Sequence, residues 1–435
     1  MRSALFSPTA YKWENAVSLV ALNVAGGMYP LAQMRAAGLV GESSQRQYTN
    51  RSGYDLTYVE VDFANYLLNG TNETLTGLAP FDAEAAIRDP QGTSYPLNDP
   101  VTGAARITVN PGDVLQLGGG GFTIPAGAQP WVQWDIQGTA WPAGQVGAPS
   151  QTTTSRISLR YTSNPQWYAR AGTDLSTVGA TNQYCYDVSS IRARTMNRFA
   201  LAVLGDSWVQ GAGDGNNEGD RMTGFVPAAC TYANGGVGVP YMPLGYTGTK
   251  LLDSNTAAKV QHRLDVAAAA CTDVLIEFGT NDLVAAGVSL ASMQANYVAL
   301  AQAIVDRGMR AHGFTVGPRT TSTDSWATTA NQTVSTGYVA DSNGNSGSAS
   351  LILNEFNDWL RTVPAPLTDV VEAADTVMSA HNSRIWNVGD GTYTNPAFTS
   401  DGVHPRPDNI GSRRGAVFQI ANAVAAKIDA WRLVS

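Results

Sequence analysis

The chain has 435 residues, of which 43% are apolar and 14% charged, and its formal net charge is −8. That length exceeds one ordinary domain and can fill real cores. The acidic balance argues against a nucleic-acid binder, which needs clustered Lys and Arg to meet phosphates, and no apolar run reaches membrane-spanning length, so no membrane insertion is expected.

With so few charges the surface must rely on Gly, Thr, Ser, Asn and Gln, a composition that suits an extracellular, cell-surface or virion protein. Met1-Arg2 is followed by no clear apolar signal region. The three cysteines, Cys185, Cys230 and Cys271, show no CxxC spacing, so neither a disulfide scaffold nor a zinc knuckle is indicated. Cys271 reads as a buried thiol.

In chain order, residues 1–50 form an irregular N-terminal segment with a short helix over Leu31 to Ala37. The apolar stretch Ser18 to Gly26 reads as folded structure. Residues 51–195 alternate apolar and polar side chains with the period of half-buried strands. Val59, Val61 and Phe63 share one face opposite Tyr58, Glu60 and Asp62. The same alternation marks Ile107 and Val109, then Val132, Trp134 and Ile136, then Ile157, Leu159 and Tyr161. Asn110-Pro111-Gly112-Asp113 and the run Gly118 to Gly121 read as turns between them. Short strands with this punctuation predict a mostly-β domain, a sandwich or jelly roll. Trp131, Trp134, Trp141 and Trp167 could form a sugar-stacking platform there, although aromatics at strand spacing more often fill a core.

From about residue 196 to 435 the pattern becomes strand, loop, helix. The apolar runs Phe199 to Leu204 and Val274 to Phe278 fit strands buried on both faces of a parallel sheet. A helix is expected over Ala257 to Ala270. Another follows Ser289 as N-cap, with Leu290, Met293, Tyr297, Leu300 and Ile304 on one stripe. Ala311 to Val316 and Asp369 to Ala373 read as further strands. Val417, Ile420, Ala421, Val424, Ile428 and Trp431 mark an amphipathic closing helix. This alternation predicts an α/β three-layer sandwich around a parallel sheet.

Functional groups in such sheets gather at the carboxyl ends of the strands. Gly205-Asp206-Ser207 follows the first strand, and Gly279-Thr280-Asn281-Asp282 follows the run Val274 to Phe278. Asp401-Gly402-Val403-His404-Pro405 precedes the last helix. A Gly-Asp-Ser arises by chance in roughly one chain in ten of this length, so the joint occurrence in this order carries the signal. A serine hydroxyl needs an adjacent base to act as a nucleophile. The four histidines are His262, His312, His381 and His404. His262 falls on an expected helix and His312 in an expected strand, while the loop of His381 is unplaced. Only His404 has a carboxylate three residues away in a tight loop, where Asp401 can hold one ring nitrogen while the other faces Ser207.

These motifs resemble blocks I, III and V of the SGNH (GDSL-type) hydrolases, over roughly residues 197–435. The resemblance implies a flavodoxin-like parallel sheet and an ester hydrolase with Ser207, Asp401 and His404 as catalytic residues and no cofactor or metal. Gly245-Tyr246-Thr247-Gly248-Thr249 resembles block II and puts Gly248 in the family's glycine position, although Tyr241 to Leu244 stand where an Asn is usual. The implied oxyanion hole is the backbone N–H of Ser207, the backbone N–H of Gly248 and the Asn281 side-chain amide. Asp206 and Asp282 read as loop-organising acceptors. The polar segment Arg319 to Ser350 exceeds the minimal fold and is expected to border the substrate.

Neither of two acidic stretches reads as a metal site. Asp341 to Ser346 lacks the calcium loop's glycine, and Asp214, Asn216, Glu218 and Asp220 read as a solvated loop. The Gly-Thr-Asn-Asp form of block III, with a β-domain ahead of it, resembles carbohydrate acetyl esterases. The implied partner is an acetylated polysaccharide or small ester. Two alternatives stay open: a lipase or thioesterase, and a glycan-binding virion or cell-surface structural protein carrying an accessory esterase domain. The oligomeric state is not legible.

Overall fold

The structure, a computed structural model, describes residues 40–69, 72–89, 91–141, 144–145, 156–161, 167, 169, 184–185, 188–193, 199–211, 224–254, 257–284, 288–335, 352–388, 398–407 and 415–434. The segments Ser18 to Gly26 and Leu31 to Ala37, the acidic stretch Asp214 to Asp220 and the stretch Asp341 to Ser346 lie outside these residues.

The N-terminal half is antiparallel. Its strands in order are β1 (Gly41–Gln47), β2 (Leu56–Ala64), β3 (Leu67–Asn69), β4 (Asn72–Thr74), β5 (Phe81–Arg88), β6 (Ser94–Pro96), β7 (Ile107–Val109) and β8 (Val114–Ile124). They continue with β9 (Trp131–Gly138), β10 (Gly144–Gln145), β11 (Arg156–Tyr161), β12 (Tyr184–Cys185) and β13 (Ser190–Ala193). A six-stranded sheet runs β11-β1-β9-β5-β6, with β7 also paired to β5, and a second sheet runs β13-β2-β8. Val59, Val61 and Phe63 of β2 are buried in one apolar cluster with Val132, Trp134 and Ile136 of β9. Their alternation is the one read from the sequence. The opposite face of β2 is covered too: Glu60 and Asp62 are buried and both face Arg192 on the adjacent β13, at 3.2 and 3.1 Å.

Two expectations for this half are corrected. Residues 41–47, inside the segment expected to be irregular, are a strand. β1 reads Gly-Glu-Ser-Ser-Gln-Arg-Gln and carries no apolar alternation, yet pairs on both edges, with β9 and β11. Two of its buried polar side chains are paired within the sheet: the Ser43 hydroxyl donates to Asp135 on the neighbouring strand, and Ser44 donates to Glu42 at 2.9 Å. The run Gly118 to Gly121 is not a turn but lies inside β8. A Cβ on Gly118 would stand 2.6 Å from the Tyr58 hydroxyl, and one on Gly120 would stand 2.8 Å from the Thr57 carbonyl. At Gly118 and Gly120 the paired strand β2 therefore leaves no room for a side chain without a shift. Trp134 and Trp141 are fully buried, which removes them from any sugar platform, and Trp167 lies under the Arg106 guanidinium at 3.7 Å.

The C-terminal half holds a five-stranded parallel sheet. β14 (Leu201–Gly205), β15 (Tyr241–Gly245), β16 (Asp273–Glu277) and β17 (Arg310–Phe314) are followed by the hairpin β18 (Thr320–Ser322) and β19 (Gln332–Val334), then β20 (Asp369–Val371). The order β15-β14-β16-β17-β20 is the flavodoxin-like one, with the switch point between β14 and β16. Alternate residues feed the two faces. Ala202, Leu204, Val274 and Ile276 join the cluster beneath helices Ala257–Ala268, Leu290–Val305 and Ile352–Arg361. Leu201, Val203 and Leu275 join the one beneath Phe225–Tyr232 and Ala416–Trp431. Ser289 caps Leu290–Val305 as expected, through a reciprocal bond with Ser292. No helix among the described residues is long and apolar enough to cross a membrane.

The halves meet at β4. The buried Glu73 carboxylate accepts the backbone and side-chain N–H groups of His262 (2.8 and 2.9 Å) and of Arg263 (3.1 and 3.2 Å), while Tyr66 stacks on the His262 ring.

Candidate active site

The switch point brings the three motifs together at the carboxyl ends of β14 and β16. β14 ends at Gly205, and Asp206 then caps the short helix Ser207–Gln210 by accepting the Trp208 N–H at 3.0 Å. Ser207 is thereby the first helical residue, buried, with no acceptor for its own N–H among the described residues. His404 Nε2 lies 2.9 Å from Ser207 Oγ, and His404 Nδ1 lies 2.6 Å from Asp401 Oδ2. The Asp206 carboxylate is a weaker rival for the hydroxyl at 3.4 Å.

Asp401 holds its own loop as well. Its second oxygen accepts the Val403 and His404 N–H groups, both at 2.8 Å. Partial burial raises the Asp401 carboxyl, but the His404 ring and these two amides outweigh it and hold it well below the usual carboxylate range. An ionised Asp401 on Nδ1 fixes the tautomer that leaves Nε2 free to accept the serine proton. The other histidines are engaged elsewhere. His312 is buried on Asp273 and Trp431, half-buried His262 bonds Glu73, and exposed His381 bonds Asp375.

The loop bearing His404 is gripped from three sides that the sequence did not reveal. Trp208 Nε1 donates to the Val403 carbonyl at 2.9 Å. Trp386 Nε1 donates to the Gly402 carbonyl at 3.0 Å, and Thr320 N–H, at the start of β18, reaches the same carbonyl at 2.9 Å. Part of the segment Arg319 to Ser350 therefore abuts the His404 loop, while residues 336–350 are outside the described ones. Gly402 has φ +78°, and a Cβ there would stand 1.8 Å from the Thr320 carbonyl oxygen. No other residue fits this position.

The remaining predicted groups lie after β15 and β16, the two strands that flank β14. Asn281 Nδ2 donates to Asp206 Oδ2 at 2.9 Å and to the Thr249 carbonyl at 3.1 Å, so both its hydrogens are engaged. Gly248 lies on the exposed turn after β15. Asp282 accepts the Leu251 and Leu252 N–H groups at 2.7 and 3.1 Å and so starts the helix Leu251–Ser254, an organising role. Sequence reasoning missed Glu277, which ends β16 and whose buried carboxyl accepts the Asp206 N–H at 3.0 Å. Burial, then the Asp206 charge, push Glu277 well above its ordinary value, and burial pushes Asp206 up to about 6. The Glu277 carboxyl thus sits behind Asp206, the acceptor that orders the nucleophile turn. The arrangement can take a proton from Ser207, store it on His404 and return it to a leaving group.

No protein-family model matches the chain, and no curated protein matches it. The solved structures to which it is similar are GDSL and SGNH hydrolases, carbohydrate esterases among them. A family two carbohydrate esterase from Clostridium thermocellum, solved with cellohexaose, is 13% identical with a TM-score of 0.33, over 90% of this chain and 93% of that one. A carbohydrate esterase family 3 structure from Talaromyces cellulolyticus is 14% identical with a TM-score of 0.33, over 55% of this chain and 99% of that one. A GDSL-like lipase from Bacteroides thetaiotaomicron is 14% identical with a TM-score of 0.32, over 53% and 88%.

Proposed function

We propose that the protein is an SGNH-type serine ester hydrolase that works through an acyl-enzyme and removes acetyl groups from a polysaccharide. The observation that carries the reaction is the unbroken chain Ser207–His404–Asp401, at 2.9 and 2.6 Å. Ser207 Oγ attacks the ester carbonyl carbon as its proton passes to His404 Nε2. The tetrahedral oxyanion is met by the N–H groups of Ser207 and Gly248. Asn281 joins them by turning one hydrogen from the Thr249 carbonyl to the oxyanion. The C–O bond to the alcohol breaks, His404 protonates the leaving oxygen, and water then attacks the acyl-serine by the same route to release the acid.

The catalytic domain on this reading is residues 196–435, and the antiparallel half is an accessory β-sandwich. Because β1 belongs to its six-stranded sheet, that sandwich begins by Gly41 rather than at residue 51. The acetyl and polysaccharide assignment is supported by the Gly-Thr-Asn-Asp motif and by a polar surface poor in charge.

The test is wild type and Ser207→Ala against chromogenic esters of increasing acyl length and a panel of acetylated glycans. Wild type is expected to be fastest on acetyl esters and to release acetate from glycans, and the variant to lose at least about 1,000-fold in kcat. Equal activity of the two proteins would sink the nucleophile. A preference for long acyl chains without acetate release would overturn the substrate.

A further inference from the structure

On the esterase reading, the Gly248 N–H is useful only if it is held still, and the space beside the Gly248 Cα is open. A Cβ built there would have nothing within 4 Å, and Thr247 beside it is exposed. The turn is held instead by hydrogen bonds. Tyr246 N–H donates to the Gly205 carbonyl at 3.1 Å, and Thr249 N–H donates to the Tyr246 carbonyl at 3.1 Å. The Thr247 N–H donates to Gln210 Oε1 at 2.7 Å, and the Thr247 hydroxyl donates to the same oxygen. Among the described residues, Gly248 is left as the one N–H of residues 246–249 with no acceptor.

We propose that Gln210 is a positioning residue that aims the Gly248 N–H at the oxyanion. Both partner groups on Thr247 are donors, so the Gln210 side chain must present its carbonyl oxygen to them. Gln210 lies three residues after Ser207 on the same short helix. One rigid segment therefore carries the nucleophile, its own backbone donor and the tether of the second donor. Holding Thr247 at both its amide and its hydroxyl anchors the residue from which the peptide bearing the Gly248 N–H extends, and the Thr249-to-Tyr246 bond closes the turn around that peptide. The residue touches no substrate; it acts through Thr247.

The test uses the full chain and a chromogenic acetyl ester, with Gln210→Met, which keeps the length but not the acceptor, Thr247→Val, the double variant and Ser207→Ala. Loss of a whole oxyanion donor costs about 100- to 1,000-fold in kcat, so a loosened one predicts a fall of about 10- to 100-fold in Gln210→Met, with KM changed less than about 3-fold. Because both side chains act in one contact, the double variant is expected within about 2-fold of Gln210→Met, and the melting temperatures of all four variants close to wild type. A wild-type kcat in Gln210→Met would overturn the proposal. So would multiplying effects in the double variant, or a rise in KM alone. A fully active Ser207→Ala would instead overturn the esterase reading on which it rests, a result read from that variant by itself.

Discussion

Gly402→Ala is the sharpest probe of how the His404 loop is held. The loop passes beneath β18 with the Gly402 backbone at φ +78°, and the new methyl would stand 1.8 Å from the Thr320 carbonyl oxygen and 2.8 Å from the Trp326 ring. That is roughly 1.5 Å closer than nonbonded atoms rest, and the nearer partner is backbone, so the loop or the hairpin must move. The left-handed conformation adds about 1–2 kcal/mol for any L-residue, and the bonds from Thr320 and Trp386 to the Gly402 carbonyl, worth about 1 kcal/mol each, are put at risk. The expected loss of stability is about 3 kcal/mol. A shift of about 1 Å at His404, two residues on, is expected to lower kcat about 100-fold. Steady-state hydrolysis of a chromogenic acetyl ester and urea unfolding read the two effects separately. A variant with wild-type kcat and an unchanged urea midpoint would refute the account of the loop.

Two further outcomes follow from groups behind the site. Glu277 is buried with its pKa raised, so the stability it contributes is full below its unfolded value and is lost as pH rises through its folded one. Glu277→Gln cannot ionise, so its melting temperature relative to wild type is expected to rise as pH climbs above the ordinary carboxylate range, and parallel curves would count against the raised carboxyl. At the junction of the halves, Glu73→Ala strips a buried guanidinium, Arg263, of its carboxylate and is expected to cost about 3 kcal/mol in urea unfolding. An unchanged midpoint would mean that the halves are held elsewhere.

The parts of the fold legible in the sequence are those whose burial is uniform. Leu201 to Leu204 and Val274 to Ile276 are apolar because both faces of their strands are covered, and such runs announce themselves. Ser207, Asp401 and His404 were readable because the order of the motifs matched the ends of those strands, and the structure brings them into hydrogen-bonding reach. β15 was not readable, since Pro243 interrupts it; the edge position of the strand makes the proline tolerable. The helix Phe225–Tyr232 was missed because it is buried almost all round and shows no amphipathic stripe. Glu277, Trp208 and Trp386 act on partners 71, 195 and 16 residues away, and nothing local to them signals the contact. Gly118 and Gly120 show the converse failure: local chemistry favoured a turn, and the closeness of β2 decided otherwise.

β1 also bears on the order in which the protein can be built. It is an interior strand of its sheet, yet its partners lie far downstream; Ser43 and Asp135 are 92 residues apart, and β11 comes later still. A chain emerging from the ribosome must therefore carry β1 unpaired until β9 and β11 have been made. An apolar strand in that position would recruit other chains while it waited. Gly-Glu-Ser-Ser-Gln-Arg-Gln instead stays solvated, and Ser43 finds its partner Asp135 only when the sheet closes around it. The polarity that hid this strand from pattern reading is the property that lets it wait safely.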